Sequence, residues 1–403
     1  MRYGKLLAVI AAAIAFITAV PARAAAPSAT GDADARLDAL IAEQMAEAGI
    51  AGLGAAIVVD RKVVWMKGYG HADQARRIPF TPDTVMNVGS ISKTVTGVAL
   101  MHAVQEDRIS LDADINDYLP FKVVNPHHPK APITLRQLAT HTSGITDRWA
   151  VYKDAYHYGD APEPLGEFLE SYFVPGGAHF AAENFLAAKP GTHREYSNIG
   201  AALAGYIVEL ATREKLGDYA RRTIFAPLGM RNTGWSLSEV DKSRHSMLYV
   251  AQNGMTIPIP LYELTTYPDG GLRTSVSDLS RLFVALLNDG VYEGVRILDA
   301  RSVGEMLRFH YTEANKPENV SLDEKNSGIF WQTKFNVTRM GHGGSDPGLN
   351  TEMLSSLSRD VGVILFANTS TSGEEARSYV NIFQALWKHA EAMKAADGST
   401  GRP

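Results

Sequence analysis

The first stretch of the chain that could do chemistry is Ser90-Ile91-Ser92-Lys93, which runs into an apolar, helix-like pattern. A serine in the first turn of a helix and a lysine three positions later lie on one face, with Cβ atoms about 5–6 Å apart. A neutral lysine at that distance can take the serine proton, and the helix N-terminus offers a backbone N–H to an oxyanion. This is the only S-x-x-K in the sequence. A tetrapeptide alone is weak evidence, because Ser90 could equally be a helix N-cap.

Two further elements follow in order and strengthen the catalytic interpretation. Tyr196-Ser197-Asn198 stands just before a predicted helix, and His342-Gly343-Gly344-Ser345 stands on a predicted strand. The phenol of Tyr196 could shuttle a proton to a leaving group, and the amide of Asn198 could orient Lys93 or a substrate carbonyl. The two glycines let the strand approach an acyl group closely, so that the N–H of Ser345 could join that of Ser90 as an oxyanion donor.

These motifs need a fold that brings them together, and the apolar patterns predict one. Residues 34–48 carry helical spacing, and GLGAAIVVDRKVVWMKGYG predicts two strands around an Asp60-Arg61-Lys62 turn. Near the other end, GIFWQTKF, TRMGHGG, NTEMLSSLS and VGVILFANTS are strand-like, and a helix is expected from about Glu374 to Met393. Helix-forming sequence fills the middle. The pattern therefore predicts an α/β unit built from both ends of the chain around an all-α insertion.

In this order, S-x-x-K, Y-x-N and an H-x-G strand motif resemble the serine β-lactamase and penicillin-binding-protein superfamily, and within it the class C β-lactamase-like branch. ITLRQLATHTSGI, IFAPLGM, PDGGLRTSVSDLSRL and GHGGSDPG also resemble family segments. The resemblance covers nearly all of the chain beyond residue 24. It implies an α+β, β-lactamase/transpeptidase-like fold, with a five-stranded antiparallel sheet flanked by helices and an inserted helical domain.

The expected bounds of the hydrolase domain are residues 33–396. Its α/β part would comprise about 33–88 and 262–396, and its helical part about 89–261. The segment DGSTGRP, residues 397–403, is expected to be a frayed tail.

The resemblance also implies a covalent acyl-enzyme and a role for each motif residue. Ser90 resembles the nucleophile, and Lys93 and Tyr196 resemble the coupled acid/base pair. Asn198 resembles the orienting amide, and His342 the cation or donor of the strand motif. The sequence leaves open whether the lysine or a tyrosinate is the base in the ground state.

One departure from the family pattern bears on substrate choice. The chain has His342-Gly343-Gly344 where class C β-lactamases carry Lys-Thr-Gly. A histidine is mostly neutral near pH 7, so a β-lactam carboxylate should bind less well than beside a lysine. We expect that binding to strengthen as His342 charges below about pH 6.5.

Residues 148–180 are rich in aromatic side chains and lie between the first two motifs. Some of them belong to the core, and Trp149 or Tyr152 is expected to line the acyl pocket. His141 in THTSGI closes a predicted helix beside a Ser-Gly turn, which favours a structural role. No H-E-x-x-H occurs and His127-His128 lacks carboxylate spacing, so neither a metal site nor a cofactor is expected.

The first 24 residues resemble a secretory signal peptide. Arg2 and Lys5 precede an apolar run from Leu6 to Val20, and Ala22-Arg23-Ala24 follows it. The run is too short for the roughly 20 residues that span a bilayer. We therefore expect cleavage near Ala24 and a periplasmic or secreted protein with no stable membrane anchor.

Composition narrows the range of functions. The net charge is −5, and cleavage would remove three basic residues and no acidic ones, which makes nucleic acid an unsuitable partner. The chain has no cysteine, which excludes disulfides, thiolate zinc sites and a cysteine nucleophile. Any nucleophile must therefore use oxygen or nitrogen.

Together these features predict an exported serine hydrolase that acts through an acyl-enzyme on a small-molecule ester or a D-amino-acid peptide or amide. A class C-type β-lactamase or DD-carboxypeptidase is the alternative among enzymes. A penicilloyl-binding sensor or a cell-wall-binding module is the alternative outside them. An α/β-hydrolase esterase would need G-x-S-x-G, which does not occur in the chain. The sequence does not indicate the oligomeric state.

Overall fold

The computed structural model of the 403-residue chain describes residues 29–159, 161–252 and 254–400. The predicted signal peptide lies outside the described residues. Within them, no helix combines the length and the apolar character that crossing a membrane would require.

The main element is an antiparallel sheet of seven strands in the order β4-β5-β6-β7-β1-β2-β3. The strands are β1 Gly52–Val59, β2 Lys62–Asp73, β3 Ile78–Pro79, β4 Gln332–Lys334, β5 Arg339–Asp346, β6 Leu349–Ser356 and β7 Val361–Ala367. Five of them are long, as the predicted five-stranded sheet requires. The strands β3 and β4, of two and three residues, add a short edge on each side.

The sheet joins the two ends of the chain at its centre. Leu53 of β1 stands opposite Ala367 of β7 on one side and opposite Tyr69 of β2 on the other. Every residue of β1 and of β7 is buried, because helices cover both faces of the sheet. The predicted turn between β1 and β2 is present, with Asp60 and Arg61 both in the left-handed region that two-residue hairpin turns use.

Helices and smaller strands complete the fold. The α-helices are α1 Ala29–Glu47, α2 Ile91–Gln105, α3 Leu135–Ala139, α4 Trp149–Tyr152, α5 Leu165–Phe173, α6 Asn198–Thr212, α7 Leu216–Ala220, α8 Tyr267–Gly270, α9 Val276–Leu287, α10 Ala300–Leu307 and α11 Glu375–Thr400. The smaller strand pairs are Met86–Asn87 with Arg273–Thr274, Tyr156–His157 with Glu263–Leu264, Val291–Tyr292 with Val295–Arg296, and Leu248–Gln252 with Met255–Ile259 and Thr369–Ser370. The other helical turns are Ile115–Asp117, Lys153–Ala155, Ala182–Asn184, Arg221–Phe225 and Lys242–Arg244.

Two hydrophobic cores lie on opposite faces of the sheet. Alternate residues of β1 face opposite ways, so that Ala56 and Val58 join the larger core around α2 and the helical region. Ala55 and Ile57 join the smaller core, which α1 and α11 cover. The helix α2 is buried along most of its length in the larger core, and this fixes its first turn against the sheet.

The extent of one predicted strand and the all-α character of the predicted insertion are wrong. In GIFWQTKF only Gln332–Lys334 is a strand, because Phe330 has a positive φ and the buried Ile329, Phe330 and Trp331 do not alternate between two faces. The insertion is not all-α, because the hairpin Leu248–Gln252/Met255–Ile259 lies within it. The apolar and β-branched residues around Asn253-Gly254 are a hairpin signal that the sequence carries.

The C-terminal helix is longer than predicted. It continues to Thr400, whereas the frayed tail was expected from residue 397. A single glycine in a helix costs only about 1 kcal/mol relative to alanine, so Gly398 does not by itself end the helix. Residues 401–403 lie outside the described part of the chain.

Candidate active site

Ser90 lies at the junction between a tight turn and the helix α2. Its side chain makes no capping hydrogen bond, so the hydroxyl is not used as an N-cap. The preceding Gly89 has a φ of +53°, and a Cβ there would lie 3.2 Å from the Cα of Gly344 and 3.3 Å from Oδ2 of Asp346. Only glycine fits this turn without strain. The turn and the helix together place Ser90 beside β5 and at the edge of a cavity.

Lys93 is fully buried beneath Ser90 and its amine has three partners. Its Nζ lies 3.1 Å from Ser90 Oγ, 2.6 Å from Asn198 Oδ1 and 2.8 Å from the backbone oxygen of Asp269. Two of these partners are carbonyl oxygens, which can only accept hydrogen bonds. The remaining direction on Nζ therefore faces the serine hydroxyl, where an ammonium donates and a neutral amine accepts.

The charge on Lys93 is set by opposing effects. Burial, the largest influence, lowers its pKa, but the facing Tyr196 and the carboxyl of Asp269 raise it, and the net shift is upward from 10.5. The ammonium is 4.0 Å from Asp269 Oδ1 and 5.1 Å from the centroid of the Tyr196 ring. The lysine is thus held as a cation in contact with both the serine and the tyrosine ring.

Tyr196 and Asn198 are positioned by the start of α6. Asp147 accepts hydrogen bonds from the hydroxyl of Ser197 at 2.9 Å, from the N–H of Asn198 at 2.7 Å and from the N–H of Ile199 at 3.0 Å. A carboxylate is favourable at a helix N-terminus because it satisfies free N–H groups and the helix dipole. Asp147 therefore fixes the segment that brings the Asn198 amide to Lys93.

The ring of Tyr196 lies between two buried histidines. Its centroid is 4.4 Å from that of His141 and 6.2 Å from that of His342. His141 also accepts a hydrogen bond from the N–H of Ser197 through Nδ1 at 3.2 Å. Burial, with Arg194 and Lys93 nearby, lowers the pKa of His141 well below 6.5. A neutral His141 thus supports Tyr196 without adding charge.

The strand β5 passes directly beside Ser90. A Cβ on Gly344 would overlap the carbonyl oxygen of Val88 and lie 3.0 Å from the nitrogen of Ser90. The neighbouring strand β4 pairs with residues 339–341 only. Among the described residues no strand pairs with the later part of β5 on that side, so its edge is open next to the serine.

His342 does not behave as predicted from the sequence. It is buried, and burial together with Lys93, Lys334 and Lys325 lowers its pKa well below 6.5. Its Nδ1 donates to the carbonyl of Gly343 at 2.7 Å, which leaves Nε2 as an acceptor 3.4 Å from Nε2 of Gln332. The expected charging of His342 near pH 6.5 is therefore wrong, because the ring is desolvated and surrounded by cations.

A cavity of about 630 Å³ opens from Ser90. Among the residues proposed from the sequence, it is lined by Ser90, Tyr196, Asn198, Ser345, Trp149 and Tyr152. Lys93 lies beneath the serine, and His342, Gly343 and Gly344 are not among the lining residues. Trp149 is 66% exposed, and Tyr152 is 4% exposed and donates to Asp269 Oδ1 at 2.8 Å. Both aromatic residues thus line this cavity.

Three aspartates at the site were missed by sequence reasoning. Asp147 holds the start of α6, Asp269 contacts Lys93, and Asp346 lines the cavity beside Ser345. Asp269 and Asp346 stand next to glycine and proline in PDGG and SDPG, a context typical of turns. The partners of Asp346 lie far away in sequence, so no local pattern could have assigned it.

Nothing in the described part of the chain resembles a metal centre, since no group of three or more histidines and carboxylates lies close enough together to hold an ion.

An S-x-x-K sequence at the start of a helix packed against an antiparallel sheet, with a tyrosine ring and an amide beside the lysine, is the arrangement typical of the serine β-lactamase and penicillin-binding-protein superfamily. The sequence model of the family described as beta-lactamase matches residues 37–386, and the chain belongs to that family.

Known proteins agree with this assignment. The chain is 24% identical over 352 residues to Protein flp of Staphylococcus aureus strain N315, an alignment that covers 85% of this chain and 64% of that protein. The chain thus spans less than two thirds of the length of this relative. Its structure is similar to that of the octameric penicillin-binding protein homologue from Pyrococcus abyssi, with a TM-score of 0.70, 25% identity and coverage of 89% and 77% of the two chains. It also resembles the D-amino acid amidase from Ochrobactrum anthropi SV3, with a TM-score of 0.69, 22% identity and coverage of 91% and 99%.

Proposed function

We propose that this protein hydrolyses ester or amide bonds of small molecules through an acyl-enzyme on Ser90, as a carboxylesterase or a D-amino-acid peptidase or amidase. The observation that carries the proposal is the 3.1 Å contact between Lys93 Nζ and Ser90 Oγ, with the other partners of Nζ fixed as acceptors. The Ser90 hydroxyl makes no helix-capping hydrogen bond, so its contact with Lys93 is not explained by a role in helix stability.

In the acylation step, the proton of Ser90 Oγ passes to the pair formed by Lys93 and Tyr196 as Oγ attacks the substrate carbonyl. The N–H groups of Ser90 and Ser345 stabilise the resulting oxyanion. The bond to the leaving group then breaks, and the leaving group takes a proton from the same pair. Asn198 keeps Lys93 in place through the 2.6 Å hydrogen bond.

Deacylation reverses these roles with water as the nucleophile. The water gives a proton to the pair and attacks the acyl carbonyl, and Ser90 leaves with the proton returned to its oxygen. The pair can take the serine proton only when it carries a single exchangeable proton, either as the Lys93 ammonium beside a Tyr196 phenolate or as a neutral Lys93 amine beside the phenol. Since the surroundings of Lys93 favour the ammonium, the Tyr196 phenolate is the acceptor that we propose.

The alternative of a β-lactamase or DD-carboxypeptidase is less well supported. The neutral, buried His342 offers no fixed cation to a substrate carboxylate. We therefore propose slow β-lactam turnover compared with esters or amides. Export through the predicted signal peptide, giving a periplasmic or secreted enzyme, belongs to the same proposal.

The proposal is tested by intact mass spectrometry after treatment with a fluorophosphonate. We expect one covalent adduct on the wild type and none on Ser90→Ala. The matched control is Ser238→Ala, because Ser238 is exposed and bonded only to Ser236. An adduct of equal size on Ser90→Ala, or none on the wild type, would contradict the proposal.

Substrate class is tested on the same proteins with p-nitrophenyl esters, D-Ala-D-Ala peptides and nitrocefin. We expect the ester or the D-amino-acid amide to give the highest kcat/KM. If nitrocefin exceeded every ester and peptide, the β-lactamase alternative would replace the proposal.

A further inference from the structure

The cavity next to Ser90 has an aromatic wall and an acidic end. Trp149, Tyr156 and Tyr262 form part of the wall, and Asp269 and Asp346 are the two carboxyl groups that line it. Lys93 faces them from below Ser90, and the exposed Lys153 lies at the rim. The cavity thus has two carboxyl groups, whereas the only amine near them, that of Lys93, already gives its hydrogen bonds to other acceptors. Buried carboxylates without a partner cost free energy, so a positively charged ligand group would stabilise this end of the cavity.

Only one of the two carboxyl oxygens of Asp346 accepts a hydrogen bond from the described residues. The hydroxyl of Tyr156 donates to Oδ1 at 2.6 Å. Among the described residues, no donor bonds Oδ2 and no basic side chain forms an ion pair with Asp346. A Cβ placed on Gly89 would be 3.3 Å from this oxygen, and one on Gly270 would be 3.5 Å from it. The free oxygen therefore lies beside the turn that carries Ser90.

Asp269 repeats this arrangement at the same end of the cavity. It is 1% exposed, and the hydroxyl of Tyr152 donates to its Oδ1. Its Oδ2 is buried and makes no hydrogen bond of good geometry, although the nearby hydroxyl of Thr266 lowers the pKa of this carboxyl. Lys93 is 4.0 Å from Oδ1 and gives its hydrogen bonds to other acceptors, so it does not bond Oδ2 either. In each of the two acids, one carboxyl oxygen thus accepts a hydrogen bond from a tyrosine, and the other makes no hydrogen bond of good geometry.

The direction of β5 shows which part of a substrate meets these acids. Gly344 stands beside Ser90, and at about 3.3 Å per residue Asp346 lies about 7 Å from it along the strand. His342 lies equally far in the opposite direction, next to Tyr196. Since the proposed proton transfer to the leaving group uses Tyr196, the leaving group belongs on that side. The acyl portion then occupies the cavity on the Asp346 side.

We propose that Asp346 and Asp269 form a subsite for a cationic ammonium group on the acyl portion, so that the preferred substrates are amides, esters or short peptides of an amino acid with a free amino group. This rests on the proposed acyl-enzyme mechanism for its orientation. An ammonium supplies several N–H donors and a positive charge, which the free carboxyl oxygens lack. Acyl groups that are neutral or anionic at this position leave the two acids unpaired.

Binding to the Ser90→Ala protein tests the subsite without requiring hydrolysis. The ligands are D-phenylalanine amide and 3-phenylpropionamide, which share the ring and the amide and differ in the ammonium group. Titration calorimetry at about pH 7.5, where more of the ligand's α-amino group is protonated, should give a Kd at least about 10-fold lower for the cationic ligand, as expected for a charge-assisted hydrogen bond. When Asp346→Asn is added to the Ser90→Ala protein, the ratio of the two Kd values should fall close to one.

The matched control is Asp154→Asn, because Asp154 is exposed on the same segment as Lys153 and its loss changes the net charge equally. That control should keep the ratio. Tyr156→Phe retains the carboxylate but removes its donor, and should lower the ratio less than Asp346→Asn. It serves as the second variant if Asp346→Asn is poorly folded by circular dichroism.

Equal binding of the two ligands, or a ratio unchanged in both Asp346→Asn and Tyr156→Phe, would overturn the subsite. The outcome is separable from that of the proposed function. Fluorophosphonate labelling that fails while the cationic preference holds would refute the acyl-enzyme alone, and labelling that succeeds without the preference would refute the subsite alone.

Discussion

Asp346 lies where a carboxylate is costly to keep. Burial raises the pKa of Asp346, as does the neighbouring Asp269, while the Tyr156 hydrogen bond and Lys93 lower it, and the net shift is from 3.8 to about 7. Asp269 has a pKa raised by burial to about 6. These groups therefore change charge near neutral pH, inside the cavity that would receive the substrate.

Replacing Asp346 by asparagine should stabilise the free protein at alkaline pH. The folded pKa lies above the unfolded one, so the folded state loses stability as pH rises from 3.8 to about 7, and the penalty is complete above that. A rise of this size corresponds to at most about 4 kcal/mol. We expect the Tm of Asp346→Asn to exceed that of the wild type by a few degrees at pH 8 and to match it near pH 4. An equal or lower Tm at pH 8 would show that the carboxylate is not destabilising.

His342 leads to a second prediction at this scale, about pH dependence. The ratio of kcat/KM for nitrocefin to that for a neutral ester should rise as pH falls from 8 to 6, because Asp346 and Asp269 lose charge. His342 stays neutral throughout, so His342→Gln should show the same midpoint as the wild type. The measurement is the pH profile of this ratio. A midpoint that disappears in His342→Gln would restore the histidine as the titrating group.

At the scale of elements, the site depends on how closely β5 approaches the first turn of α2. Thr351 of β6 donates to the carbonyl of Val88 at 2.8 Å, which ties the sheet to the turn before Ser90. Gly344 fills the remaining space. The two proposed oxyanion donors therefore belong to different elements whose separation is set by a glycine contact.

Gly344→Ala should separate these two elements and lower activity strongly. The added Cβ would overlap the Val88 carbonyl, so β5 must move away from Ser90. Loss of one oxyanion donor typically lowers kcat by about 10²–10³, and we expect a fall in this range with a smaller change in KM. Gly304→Ala on α10 is the control, since nothing lies within 4 Å of its new Cβ. A Gly344→Ala enzyme as active as Gly304→Ala would exclude this role.

Much of the element arrangement could be predicted from sequence because its causes are local. Continuous apolar runs mark β1 and β7, strand-like runs bounded by turn residues mark β2, β5 and β6, and the S-x-x-K, Y-x-N and H-x-G motifs have fixed spacing. The charge state of His342 could not be predicted, since it depends on burial and on lysines from other segments. The acidic end of the cavity was likewise hidden, because Asp346 and Tyr156 meet only after folding.

For the whole molecule, the central sheet couples two cores that would otherwise be separate. Adjacent residues of β1 point into opposite cores, and its partner β7 does the same, with Ile364 in the larger core and Val363 in the smaller. The strands come from the two ends of the chain. Loss of the smaller core should therefore disturb the strands that support α2 and Ser90.

Leu386→Ala tests this coupling from the far side of the sheet. Leu386 on α11 is 0% exposed in the smaller core, and such a truncation costs about 2–5 kcal/mol. The measurement is urea unfolding followed by hydrogen exchange. Peptides from α2 and from α11 should unfold at the same urea midpoint, and Leu386→Ala should lower that midpoint equally for both helices. Val380→Ala, on the same helix but 45% exposed, should leave the midpoint within error. A midpoint that falls for α11 while α2 keeps its own would mean that the two layers fold independently, because a shared sheet cannot lose one face without weakening the other.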